Sequence, residues 1–298
     1  MRYIPLTAVK STATKLTAAA AMCALVATSV AAESSTGNVS PSLHQHSIGV
    51  ELGFFADTIA GVDVFAISQD VHASIALSDS LAFKATLPFA TALVSVAGTS
   101  ESKFAFGNPQ VGVSFLLNRA QYSEVTIEPS LTIPLASISD DDAFDAALST
   151  VAYAGALGIR GLREAWLYAP ETFALVVPLR AAHASGALRI GTDLTAALLI
   201  PTSDSDVRDP EMMAQLDLRV GGQFGQVQVG LGLATVANLG GDDEVQFQTS
   251  IDPYVQLHLA AATLEMRMVI NLDAPLGTSF SDENTLWGFL VGADFPLP

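Results

Sequence analysis

The feature that most constrains this chain is a two-residue rhythm of apolar and polar side chains, running from about Ser47 to the last residues. Side chains of a strand point alternately to its two faces, whereas a helix repeats every 3.6 residues, so the rhythm selects strands. In "SEVTIEPSLTIPLA" (123–136), Val125, Ile127, Leu131, Ile133 and Leu135 share one face, and Thr126, Glu128, Ser130 and Thr132 share the other. Pro129 and Pro134 sit badly in a soluble central strand, because proline cannot donate to a ladder. The same rhythm places Ile48, Val50, Leu52 and Phe54 together, then Val71, Ala73, Ile75 and Leu77, then Leu81, Phe83, Ala85, Leu87 and Phe89. It continues to Trp287, Phe289, Val291 and Phe295. The pattern predicts about twelve strands of roughly 10 residues, the length that crosses a membrane as a β-strand.

The connections sort by length. Short ones at 78–80, 118–123, 183–186, 223–226 and 260–262 alternate with long ones at 56–62, 97–104, 137–170, 201–212, 237–245 and 274–284. A soluble sandwich does not require this sorting. The expected fold is therefore all-β: a single antiparallel transmembrane β-barrel of about twelve strands, with short periplasmic turns, long external loops and both chain ends on the short-turn side. The segment 141–170 is too long for a plain loop. Its alanines, with Leu148, Ala152, Gly155, Ile159 and Leu162, suit a helix in an external loop, folded into the mouth. Val151, Tyr153, Leu157 and Ile159 also alternate, so two further strands, making fourteen, are the alternative.

Half of the 298 residues are hydrophobic and the mean hydropathy is +0.43, yet no apolar stretch of helix-spanning length follows residue 35. Residues 1–32 read as a secretory signal peptide, with Arg2, Lys10 and Lys15 ahead of "LTAAAAMCALVATSV" and a cleavage site after Ala32. Residues 33–46 read as a flexible lead-in, and 47–298 as the barrel. The one cysteine, Cys23, falls in the signal segment, which removes disulfides and thiolate metal sites from consideration. A net charge of −17 lacks the basic footprint of nucleic-acid binding. Export and acidity together predict the bacterial outer membrane.

With the apolar faces toward lipid, the alternate positions line the lumen. They include Glu51, Lys84, Glu128, Arg180, Arg189, Asp193, Asp217, Arg219, Asp252, His258, Glu265, Arg267, Asn271 and Asp273. Arg or Lys facing hydrocarbon at mid-bilayer costs about 2–4 kcal/mol, and nearly all the charges avoid that parity. Glu128, Arg180, Arg189, Asp193, Asp217, Arg219, Asp252, Arg267 and Asp273 are the candidates for electrostatic constriction and solute guidance. The bases lie nearer the short turns and the acids nearer the long loops, which predicts an acidic outer mouth and a basic inner end. The competing expectation is that these charges pair with one another and plug a narrow barrel. Asp140, Asp141, Asp142, Asp242, Asp243 and Glu244 are loop acids suited to divalent cations beside lipopolysaccharide. His72-Ala73-Ser74 and His183-Ala184-Ser185 pair an imidazole with a hydroxyl but lack a third group to orient the base, so no enzyme is expected. His44 and His46 lie on the lead-in, and Gly230-Leu231-Gly232 precedes no helix, so neither a metal site nor a nucleotide loop is read there. No cofactor is expected.

The leader, the alternation and the sorted loops together resemble bacterial outer-membrane β-barrels. Within that group "FGNPQVGVSFLL" (106–117) resembles the Gly-(Asn/Asp)-(Pro/Leu)-x-(Val/Leu)-Gly strand opening of the outer-membrane proteins linked to meta-pathway phenol degradation. That resemblance implies passage of hydrophobic small molecules. The chain departs from the group at its end, "GADFPLP", where Phe295 stands three residues before the terminus. The function expected is a porin-like channel passing small molecules through a charged lumen. The alternative is a closed structural barrel whose acidic loops bind cations or partners. The partners expected are outer-membrane lipid and lipopolysaccharide, a small-molecule solute and the outer-membrane assembly machinery, with no nucleic acid.

Overall fold

A computed structural model describes residues 46–59, 62–96, 99–138, 142–203, 209–239, 246–273, 276 and 287–297. Fourteen strands form one antiparallel sheet: β1 (Ser47–Ile59), β2 (Val62–Ser78), β3 (Leu81–Val96), β4 (Thr99–Phe106), β5 (Gln110–Ala120), β6 (Ser123–Ile127), β7 (Ser130–Thr132), β8 (Thr172–Ser185), β9 (Leu188–Pro201), β10 (Glu211–Phe224), β11 (Val227–Asn238), β12 (Gln246–His258), β13 (Thr263–Asn271) and β14 (Trp287–Pro296). The sheet closes where β1 meets β14, with Ser47 opposite Pro296 and Phe54 opposite Phe289.

The wall has twelve positions, as the rhythm predicts, because two positions are each shared by two strands. β5 pairs with the first half of β3, from Leu81 to Thr86, and β4 with the second half, from Phe89 to Val96. β6 and β7 divide the next position in the same way, pairing with the two ends of β5. The breaks fall at Gly107-Asn108-Pro109 and at Glu128-Pro129. Pro129 can donate no ladder hydrogen bond, and it stands where the ladder is interrupted. The alternative of fourteen spanning strands is not what the extra two represent.

Side-chain parity follows the prediction. Leu87 is 48% exposed, Phe104 51% and Leu231 52%, and most outward positions are similarly apolar. Ser68, Asp70, Thr126, Glu128, Gln248, Ser250 and Asp252 are buried on the inward positions. A polar interior and a continuous apolar exterior suit hydrocarbon outside and water inside.

The segment after β7 forms α1 (Ala143–Ile159), as the helical reading expects, and a 3-10 turn at Ala165–Leu167. Asp142 caps α1 by accepting from the Phe144 N–H at 2.7 Å. The helix lies inside the barrel. Ala152, Tyr153 and Ala156 join Trp166, Leu167 and Tyr168 in one buried cluster with inward residues of the wall, among them Ala90, Ala92, Val176, Leu199, Met213 and Val236. Small residues make the room. A Cβ on Gly155 would sit 2.4 Å from the Ala66 Cβ, and one on Gly288 would sit 2.3 Å from the Ile159 carbonyl oxygen. The long-loop half of the lumen is thus a packed apolar core.

Candidate functional site

The chain leaves α1 at Arg160 and turns through a short strap, 160–168, that crosses the lumen at mid-height. Four residues in and after this strap hold left-handed backbone: Gly161 (φ 66°), Leu162 (φ 63°), Glu164 (φ 53°) and Glu171 (φ 53°). For a non-glycine residue that conformation costs about 1–3 kcal/mol and persists only where its surroundings enforce it. Two arginines supply the enforcement. Arg160, 3% exposed, donates to Glu51 Oε1 at 2.6 Å, to Asp70, and to Glu164 Oε2 at 2.7 Å. Arg163 donates to Asp252 and, at 3.3 Å, to Asp217, while its Nε bonds the Arg160 carbonyl at 2.8 Å. The Tyr168 hydroxyl donates to Asp70 Oδ1 at 2.5 Å. Gln215 accepts from the Glu164 N–H at 3.0 Å and donates to Asp217 at 2.6 Å, tying strap to wall.

Below the strap a cavity of about 950 Å³ runs to the short-turn rim, reaching Ser47, Leu259, Ala262 and Pro296. Its roof is Arg160, Glu164 and Trp166. One wall carries a chain of charges in which Glu128 takes Lys84, the Ser114 hydroxyl at 3.1 Å and Arg180 at 3.0 Å, and Arg180 passes on to Asp193 at 2.6 Å. The opposite wall carries Arg267 on Glu51 at 2.6 Å and Arg219 at 3.6 Å from Glu265. His72 meets Asp294 at 2.6 Å across β1, where a Cβ on Gly49 would strike the imidazole.

The nine residues singled out from sequence divide into three groups. Glu128, Arg180, Asp193, Arg219 and Arg267 line the cavity. Asp217 and Asp252 hold Arg163 above it. Arg189 bonds Gln223 at 2.9 Å and the carbonyls of Gly186 and Leu188, and Asp273 accepts from the Thr249 N–H at 2.6 Å, so these two secure a turn and a strand end. Glu128 lies level with Lys84 and Arg180, the acids at strap height are paired with the strap arginines, and most of the loop acids of the expected outer mouth lie outside the described residues. Sequence reasoning missed Arg160, Arg163, Glu164 and Tyr168, whose partners are set by the strap's path rather than by strand parity. Asp70 was accessible to parity, two residues from His72 on the inward face of β2.

Among the loop acids, Asp142 serves as the α1 cap, and Asp140, Asp141, Asp242, Asp243 and Glu244 lie outside the described residues. Among the described residues no group of three or more metal-ligating side chains occurs. Neither histidine bonds the serine two positions on: His72 takes Asp294, and His183 takes the Ser123 hydroxyl at 2.8 Å.

Asn108, from the "FGNP" stretch, is fully buried at the wall break. Its Oδ1 accepts from the Ala136 N–H at 2.8 Å, and its Nδ2 donates to the carbonyls of Trp166 (3.0 Å) and Ala169 (2.7 Å). The Tyr153 hydroxyl donates to the Phe106 carbonyl at 2.8 Å. Side chains thus satisfy backbone groups that a continuous ladder would otherwise pair, a requirement at membrane depth.

No protein family and no curated protein matches the chain, so the resemblance of residues 106–117 to the phenol-degradation proteins is not shown. Among solved structures, an outer membrane channel from Pseudomonas putida F1 aligns over 89% of this chain and 100% of its own, at 14% identity and a TM-score of 0.57. The NanC porin aligns over 84% of this chain and 100% of its own at 10% identity and a TM-score of 0.47. The KdgM porin covers 85% and 99% at 8% identity and a TM-score of 0.46. At 14% identity the first of these likenesses is one of fold alone, a β-barrel of the outer membrane.

Proposed function

We propose that the chain is a non-enzymatic channel of the bacterial outer membrane, exported by a leader cleaved near Ala32, that passes small molecules through its charged lumen. The observation that carries this reading is the nature of the obstruction. The wall encloses a cavity of about 950 Å³ open toward the short-turn rim, and what closes it is an inserted segment, α1 with the strap that follows it, held by side-chain contacts and packing rather than the wall itself. A segment of that kind can move while the twelve-position ladder stays intact. In this reading the wall meets lipid and lipopolysaccharide outside, and the assembly machinery inserts it.

One observation favours the alternative, a closed structural barrel: each lumen arginine of the strap is already paired. Planar-bilayer recording of the purified chain separates the two. Discrete conductance steps, together with solute-dependent liposome swelling, are expected; a protein that folds and inserts yet gives neither is the closed barrel.

A further inference from the structure

We infer that the solute class of this lumen is the small organic cation, guanidinium compounds above all, and that the strap arginines are built-in occupants of the sites such a cation would use. The inference rests on the channel reading and deepens it. At strap height the wall presents two pairs of carboxylates, Glu51 with Asp70 and Asp217 with Asp252, and each pair clasps one guanidinium. Asp70 and Asp252 are 5% and 2% exposed, so water does little to solvate either. Burying a carboxylate without a counter-charge costs several kcal/mol. Among the described residues, the only wall cation bonded to these four acids is Arg267, on Glu51 at 2.6 Å; Arg219 lies instead on Glu265. With the strap withdrawn, this level of the lumen is therefore strongly acidic.

A second observation points to a ligand rather than to acids alone. The hydroxyls of Ser68 and Ser250, 0% and 1% exposed, bond nothing, and neither does Asp252 Oδ1. Each serine lies two residues before an acid of a clasp, on the same inward face of its strand, Ser68 ahead of Asp70 and Ser250 ahead of Asp252. The clasps are thus incompletely matched on both sides, since Arg160 Nε and Arg163 Nη2 are also left without a partner. A planar guanidinium with five donors, or an ammonium with three, can take the place of Arg163 or Arg160 one for one, leaving the charge of the site unchanged. Exchange of that kind lets a cation open the strap, whereas an anion meets the four carboxylates.

The test uses the full purified chain, with heat-modifiable gel migration to select folded protein. In planar bilayers under a potassium chloride gradient, R160Q/R163Q is expected to conduct several-fold more than the unaltered chain and to prefer potassium over chloride by about fivefold or more. Adding D217N/D252N to that variant returns the ratio toward one. If R160Q/R163Q does not fold, the unaltered chain still decides: liposomes loaded with agmatine release it faster than arabinose, and arabinose faster than glutamate. Chloride preference or no preference in R160Q/R163Q, or glutamate release as fast as agmatine release, overturns the cation assignment while leaving a channel. Absence of conductance in every variant and of release for every probe overturns the channel reading and this inference with it.

Discussion

Asn108 shows how much one side chain carries in this wall. It is neutral and fully buried, and its amide meets three backbone groups from two separate segments. Each buried backbone group left without a partner costs about 1–3 kcal/mol. Asn108→Ala is therefore expected to lower the temperature at which the folded gel band converts to the unfolded one by several degrees, and Asn108→Asp to lower it too, since two of the three contacts require the amide N–H. A transition unchanged in both variants would remove Asn108 from its bridging role. Glu128 acts through charge instead. It sits between Lys84 and Arg180, so Glu128→Gln leaves two cations sharing Asp193 in the cavity wall. The expected result is a shift of reversal potential toward chloride, at a stability loss of about 1–3 kcal/mol.

At the scale of elements, α1 is seated by close approach. A side chain at residue 155 would drive into Ala66, so Gly155→Val overpacks the helix–wall contact by about 1–3 kcal/mol. Because the strap continues from α1, that variant is expected to open more often in bilayer recordings without loss of the folded gel band; unchanged opening would show that α1 and the strap move independently. The strands were legible because a strand writes its two environments into alternate letters. The helix was legible from its alanines and its length. The division of two wall positions was not, because a broken ladder is a matter of partners: Gly107-Asn108-Pro109 reads as a turn until β3 is found pairing on both sides of it. The strap's contacts were hidden for a similar reason. Parity places Glu51, Asp217 and Asp252 in the lumen, but no register relates Arg160 and Arg163 to a wall they only cross.

The whole molecule combines two interiors on one axis. Toward the long loops the lumen is filled by the buried cluster around Tyr153, Trp166, Leu167 and Tyr168; toward the short turns it is a charged cavity. The outside is apolar at both levels. Such a wall keeps its ladder in detergent and unfolds only on heating, so unboiled protein is expected to run with a different apparent mobility from boiled protein, and recovery of the chain wholly in a soluble fraction would defeat the barrel.

The placement of α1 carries one more consequence, for how the sequence can vary. Where a barrel lumen is merely wet, its inward positions exchange polar residues freely. Here the inward positions of β8 to β11 nearest the long loops, Ala174, Val176, Ala197, Leu199 and Val236, pack against a helix as the core of a water-soluble protein does. Drift at those sites is confined by the volume the helix leaves. Positions lower on the same strands are free to change in compensating pairs, so one strand is read under two different sets of constraints along its length.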